Sequence, residues 1–296
     1  MTFDEWLANC ATTLALHTTT KLRQARPGNH RSPYTGNGFR LRQHETYRLG
    51  DERRFIDWKA SRKEQTLLMQ RFEAETQLQL IVLCDVSASM LFGQHLSKYQ
   101  IALDCTGLLA LATLRQADAF GLIAFADETI VYHPPKQRRD AVLRCLDTLW
   151  HYTPSAPASN PTTNLASVLR YIPVSRPALL CVMSDFRMPD WRQTLDHLSA
   201  SHDTFAVLIE DDSEISLPAV GRVVVRDFES GRLVELDTAS RTFRRAYHER
   251  MLEERAGREQ ALQRACGPQY MIASASTDYQ SDLLRLFLAR TAHVWV

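Results

Sequence analysis

The sequence predicts an α/β fold: a doubly wound, mostly parallel, Rossmann-like sheet with helices on both faces. Three observations carry that prediction. Short apolar runs at residues 78–84, 120–125, 178–183 and 204–209 have the length of strands and the near-continuous hydrophobicity of strands buried on both faces. Segments of helical period separate them, so successive strands pair in parallel through right-handed crossovers. Two of the runs end abruptly in small polar and acidic residues, Asp85-Val86-Ser87-Ala88-Ser89 and Ser184-Asp185, at the strand ends where open α/β sheets bind their ligands.

The chain opens with a helix. Thr2-Phe3-Asp4-Glu5 fits a capping box, Met1 and Trp6 are placed to staple it, and Trp6, Leu7, Cys10 and Leu14 fall on one face. Residues 26–38, rich in Pro, Gly, Asn and Ser, read as a loop. After the strand at 78–84 come a helix at 96–114 with a small-residue surface, a strand at 120–125, a short edge strand at 130–133 and a helix at 138–150. A polar loop at 153–161 leads to a helix at 165–172, the strand at 178–183, a helix at 191–200 and the strand at 204–209. Val223-Val224-Val225 and Leu233-Val234-Glu235-Leu236 flank Glu229-Ser230-Gly231 and read as a β-hairpin with glycine at the turn. A strongly charged helix at 241–265 with a solvated face, a strand at 270–273 and a helix at 279–289 complete the chain. Residues 1–75 form an N-terminal helix and basic segment packed on the main domain, and residues 76–296 form that domain, with the insertion at about 213–240.

Composition narrows the function classes. The chain has 296 residues, 45% of them hydrophobic, which is ample for a core. No apolar stretch approaches the roughly 18 residues needed to span a bilayer, and the first residues carry Asp4 and Glu5 rather than a basic leader, so a cytoplasmic protein is expected. Cysteines 10, 84, 105, 145, 181 and 266 are scattered without CxxC pairs and read as reduced core residues. The net charge of +1 hides an uneven distribution. Residues 21–63 hold twelve Lys or Arg against four acids, and residues 203–237 hold nine acids against three Arg, so the two segments face each other or serve different partners.

The pentapeptide after the first strand offers one carboxylate and two hydroxyls. Hydroxyls are weak ligands, so the ion they serve is a hard one that keeps its waters, Mg²⁺ or Mn²⁺, and not zinc. Asp85, Ser87 and Ser89 lie at one strand's carboxyl end and Asp185 at another's, while Thr162-Thr163 precede an intervening helix, so three loops can converge on one ion. This pattern resembles the metal-ion-dependent adhesion site of von Willebrand factor A domains. The resemblance implies a von Willebrand A-like fold and the ligand set Asp85, Ser87, Ser89, Thr163 and Asp185. It implies direct bonds from the hydroxyls and an open sixth position for a carboxylate of a partner protein. That family usually has two glycines before the threonine, where this chain has Pro161-Thr162.

A second resemblance covers residues 30–290. Tyr47-x-x-Gly50-Asp51-x-x-Arg54-x-Ile56-Asp57-Trp58, then Ser61-Arg62 and Phe72-Glu73-x-Glu75, is similar to the signature of the bacterial family called domain of unknown function 58. The stretch 221–238 resembles that family's insertion. The family implies a von Willebrand A-like domain after the signature and a partnership with AAA+ ATPases of the MoxR type, in a chaperone-like or assembly role. Within the signature, ion pairs among Asp51, Arg54, Asp57 and Arg62, with Ile56 and Trp58 as apolar anchors, make a clamp on the A domain. The other reading is a docking surface for an acidic partner, formed by Tyr47, Asp51, Arg53, Arg54, Asp57, Trp58 and Arg62.

Catalysis is the rival function. A phosphoesterase of the haloacid dehalogenase type would also use an aspartate such as Asp85 at the first strand's end, but it needs a second one two residues on. Ser87 stands there, and a hydroxyl does not replace a carboxylate in proton transfer near neutral pH. No GxxxxGK[ST], GxSxG or GxGxxG pattern follows a strand. Nucleic-acid binding by the basic segment 21–63 is a further alternative, without a recognised motif.

Overall fold

The computed structural model describes residues 1–18, 31–47, 56–75, 78–154, 163–173, 177–226 and 233–293. The N-terminal part contributes α1 (Phe3–Thr18), β1 (Arg31–Thr46), α2 (Trp58–Glu64) and β2 (Leu68–Glu75). The main domain follows as β3 (Gln79–Asp85), α3 (Lys98–Arg115), β4 (Ala119–Phe125), β5 (Thr129–Lys136), α4 (Arg139–His151), β6 (Leu179–Ser184), α5 (Trp191–Ser201) and β7 (Asp203–Ile209). It closes with the hairpin β8 (Arg222–Arg226) and β9 (Leu233–Asp237), then α6 (Arg241–Cys266), β10 (Tyr270–Ala273) and α7 (Tyr279–His293).

The central sheet has the order β10-β7-β6-β3-β4-β5, parallel except for the edge strand β5. Side chains alternate along β3 between two cores. Leu80, Val82 and Cys84 face a layer holding Trp6, Leu108, Leu146 and Phe287, and Ile81 and Leu83 face one holding Val168, Leu195 and Leu262. With both faces covered, every residue from Leu80 to Asp85 is buried, which is why this strand reads as an unbroken apolar run. The predicted doubly wound sheet with helices on both faces is therefore the observed fold. All six cysteines are buried, and none is joined in a disulfide among the described residues. Among the described residues no helix is long and apolar enough to cross a membrane.

Helix α1 starts at the predicted capping box: the Thr2 N–H donates to Glu5 Oε2 at 2.8 Å and the Glu5 N–H to Thr2 Oγ1 at 3.3 Å. Met1 is exposed, and the docking face is Trp6, Cys10 and Leu14, all buried. Trp6 lies so close to α3 that a Cβ on Gly107 would meet its ring at 2.7 Å. Its indole N–H donates to Asp104 Oδ1 at 2.7 Å, while the Tyr279 hydroxyl donates to Oδ2 at 2.8 Å, so one carboxylate ties α1, α3 and α7 together.

Three expectations change. Part of the loop expected at 26–38 is strand: β1 pairs antiparallel with β2 through irregular register, Thr35 and Arg40 both standing opposite Glu73, so the Gly-Asn-Gly at 36–38 sits in a slip of the ladder. Residues 165–171 form a 3-10 helix. Trp58 is no anchor; it is 66% exposed at the start of α2, while Ile56 is buried and bridged to Met69. The hairpin appears as predicted, antiparallel from Arg222↔Asp237 to Arg226↔Leu233, and its turn at 227–232 lies outside the described residues. Helix α6 is mostly exposed and laced with i,i+4 pairs such as Arg245–Glu249.

Candidate metal centre

From β3 the chain winds to β4 and β5 on one side, then crosses to β6 on the other, so β3 and β6 flank the point where winding reverses. Ligands bind at such switch points, outside the carboxyl ends of the strands. Asp85 is the last residue of β3 and Ser184 the last of β6. The two meet: the Ser184 hydroxyl donates to Asp85 Oδ2 at 2.6 Å, and the Ser87 N–H donates to Asp85 Oδ1 at 2.9 Å. A 3-10 turn (Ala88–Leu91) then brings Ser89 round, leaving Ser87 Oγ and Ser89 Oγ 3.1 Å apart. On the β6 side the Phe186 N–H donates to Ser184 Oγ at 2.9 Å, with Phe186 in the left-handed region at φ 52°. A bulky residue held there marks a turn that its surroundings impose.

The second aspartate has a partner of its own. Lys98, the first residue of α3 and 1% exposed, donates to Asp185 Oδ2 at 2.7 Å and to Glu214 Oε1 at 2.8 Å. Glu214 also pairs with Arg187 at 3.3 Å, and the Arg187 N–H donates to Asp185 Oδ1 at 3.2 Å. The helix carrying Lys98 is fixed by the loop before it, where a Cβ on Gly93 would fall 2.0 Å from the Leu96 carbonyl, a fit that only glycine makes. The Gln94 N–H there donates to Asp211 Oδ2 at 3.1 Å, tying the loop to the segment after β7.

Electrostatics separates the two carboxylates. Burial, reinforced by the nearby charge of Asp185, pushes the Asp85 carboxyl up to about 6, against the pull of its hydrogen bonds from Ser184 and Ser87. Burial acts on Asp185 in the same direction, but the Lys98 ammonium outweighs it and holds that carboxyl below its ordinary range. Lys98 in turn is raised: burial opposes its charge, and Asp185 and Glu214 outweigh the burial.

The donor set fits a small hard cation. The Ser87 and Ser89 hydroxyls share a hydrogen bond at 3.1 Å, a separation close to the ~3.0 Å between adjacent corners of an octahedron with bonds of ~2.1 Å; the longer bonds of Ca²⁺ would spread them further. Among the described residues no group of three or more His, Cys, Asp or Glu gathers, so a carboxylate cage or a zinc site is not found there.

Of the expected ligands, the structure brings Asp85, Ser87 and Ser89 together and sets Asp185 on the adjoining strand end. Thr163 is buried, and the Asn164 N–H beside it donates to the Ala126 carbonyl at 2.6 Å, which puts this loop against the end of β4, the neighbour of β3. Pro161 and Thr162 lie outside the described residues, as do Asp51, Arg53 and Arg54. Gly50 also lies outside them, and the described signature residues fall at the end of β1, in and before α2, and on β2. The Tyr47 N–H donates to the Leu67 carbonyl at 2.7 Å, Asp57 caps α2 by accepting from Lys59 and Ala60, and Arg62 is exposed. The acidic segment does not meet the described part of the basic one through the pairs seen; Glu214 pairs with Lys98 and Arg187, and Glu210 with Arg255 and Arg258. Sequence reasoning assigned no role to Ser184, Lys98 or Glu214. Lys98 carried a signal, since a lysine in the first turn of a helix opposes the helix dipole and needs another reason to be there.

Fold and site together define a doubly wound α/β domain whose parallel strands end in a cluster of hydroxyls and carboxylates. The family described as protein of unknown function DUF58 matches residues 43–257, well over half of the chain, and the protein belongs to that family. It is 26% identical over 297 residues to the uncharacterized protein Rv1480 of Mycobacterium tuberculosis and, equally, to Mb1516 of Mycobacterium bovis, covering 97% of this chain and 90% of each relative. Among solved structures, the conserved hypothetical protein BatB from Bacteroides thetaiotaomicron aligns with a TM-score of 0.46 at 14% identity, over 73% of this chain and 98% of that one. The VWA domain of SpRpn10 aligns with a TM-score of 0.38 at 10% identity, over 71% of this chain and 95% of that one.

Proposed function

We propose that the chain is a metal-ion-dependent protein-binding module that holds Mg²⁺ or Mn²⁺ at the ends of β3 and β6 and captures an acidic residue of a partner. The observation that carries this reading is the pair of serine hydroxyls 3.1 Å apart beside two buried carboxylates whose proton affinities are pushed in opposite directions, at the switch point of the sheet. Ser87, Ser89 and Thr163 supply neutral oxygens, and Asp85 and Asp185 supply the charge that holds the ion. Both oxygens of each aspartate already accept hydrogen bonds, from Ser87 and Ser184 on Asp85 and from Lys98 and Arg187 on Asp185, so the aspartates act best through water. Bound among neutral first ligands, the ion keeps most of its positive charge and offers an open position to an anion. A phosphoesterase of the haloacid dehalogenase type needs a second aspartate two residues after Asp85, and Ser87 stands there, which sets the reading apart from such an enzyme.

The partner is a MoxR-type AAA+ ATPase, as the family resemblance suggests, and the setting is cytoplasmic. In that pairing the ATPase supplies ATP hydrolysis and this chain supplies recognition. The test uses an immobilised MoxR-type ATPase from the same organism: the chain is retained in Mg²⁺ and released by EDTA, and the Asp85→Ala chain passes through. Equal retention with and without chelator overturns the ion as the bridge, and no retention in Mg²⁺ overturns this partner.

A further inference from the structure

Beside the strand-end site a cleft of about 840 Å³ opens, and its lining joins two kinds of residue. Ser89, Lys98 and Arg187 bring it to the metal centre. Phe92, Leu217, Val223 and Leu236 make it apolar, the last two from the hairpin inserted between β7 and α6. Val220 and Val224 also line it and are 63% and 65% exposed, a concentration of solvent-facing valine that the fold of the domain does not require. The charges beside the cleft decide what enters. Ionised Asp85, Asp185, Asp211 and Glu214 against Lys98 and Arg187 leave the site negative without an ion, and a divalent cation offsets that charge. An open position on the ion favours a carboxylate, and the walls next to it favour apolar side chains.

We propose that this cleft sets partner specificity: it takes an extended segment of a partner protein in which one Asp or Glu, placed at the ion, is followed within about three residues by apolar side chains that pack against Phe92, Leu217 and the hairpin valines. The proposal rests on the metal-dependent reading above and adds to it a role for the insertion. The volume suits a few side chains, the size of site that buries a short segment rather than a flat surface. Glu214 connects the two halves, because its carboxylate holds Lys98 and Arg187 while its carbonyl accepts from the Tyr247 hydroxyl of α6 at 3.0 Å, close to where the chain enters the hairpin.

The test is selection of a displayed library of random heptapeptides on the full chain in Mg²⁺. Enriched sequences are expected to share an Asp or Glu followed within three positions by Val, Ile, Leu or Phe. A fluorescent peptide from that pool should bind the Val224→Lys and Val220→Lys chains at least about tenfold more weakly, as loss of an apolar contact predicts. Both positions are exposed, so folding is kept, and Mg²⁺ binding by calorimetry should be unchanged. Enrichment of acidic residues without apolar neighbours, or equal peptide binding by the valine variants, overturns the cleft assignment and leaves the ion reading standing. Selected peptides that lack an acid and bind the Asp85→Ala chain equally well overturn both. Dimerisation of the full chain that Val224→Lys abolishes would give the cleft to a second copy and overturn the proposed occupant.

Discussion

Asp85 and Asp185 stand at neighbouring strand ends, both buried, yet their affinities for a proton are pushed in opposite directions. Asp85 is met by a serine hydroxyl and a backbone N–H, neutral donors that do not offset its burial, and it keeps its proton to about pH 6. Asp185 is met by an ammonium at 2.7 Å and stays ionised below the usual range. One strand end carries a built-in cation and the other lacks one. At the β6 end an ammonium offsets the carboxylate, and at the β3 end, where the Ser87 and Ser89 hydroxyls bond to each other, no such cation stands among the described residues.

Removing the built-in cation breaks the contrast most strongly. Lys98→Met leaves Asp185 buried without its ammonium and Glu214 with Arg187 alone, and should cost about 3–5 kcal/mol in chemical denaturation. Mg²⁺ should restore more stability to that variant than to the parent, because two strand ends then need a cation. A loss under about 1 kcal/mol would mean that the Lys98 pair does not hold this end together.

The pH dependence sharpens the contrast by a smaller effect. The folded chain holds a proton on Asp85 that an unfolded chain releases near its ordinary pKa of 3.8, so without metal this group's stabilising contribution is fully present in acid and is lost as pH rises through about 6. Asp185 runs the other way: its contribution is present above the ordinary carboxylate pKa and is lost as pH falls through its depressed value. Between about pH 4 and about pH 6 the metal-free parent should therefore lose stability relative to Asp85→Asn, read from denaturant midpoints across that window. A difference between the two chains that stays constant with pH would show that Asp85 is not the uncompensated carboxylate.

The sheet was legible because its strands are buried on both faces. In the strand from Leu80 to Asp85 every residue is inside, so periodicity could not mislead, and the abrupt change at Asp85 marked its end. The strand-end cluster of Asp85, Ser87 and Ser89 was legible for the same reason, since a hydrophilic cluster after such a run has no packing role. The N-terminal ribbon was not: β1 is an irregular strand containing Pro and Gly, and it exists through long-range pairing with β2, which local propensity cannot anticipate. Trp58 misled because an aromatic residue in a family signature suggests burial, while its place in the first turn of α2 turns it to solvent. Lys98 was hidden by distance along the chain. Its partners lie 87 and 116 residues away, and only the folded sheet brings α3, the β6 end and the segment after β7 to one point.

The central claim is that the β3 end is built to hold a hard divalent cation. Calorimetric titration of the full chain with Mg²⁺, paired with the same titration of Asp85→Ala, tests it most directly. The structure predicts saturable binding to one site in the parent and none in the variant, with both chains folded by circular dichroism. Absence of binding by the parent, or undiminished binding by the Asp85→Ala chain, would contradict it.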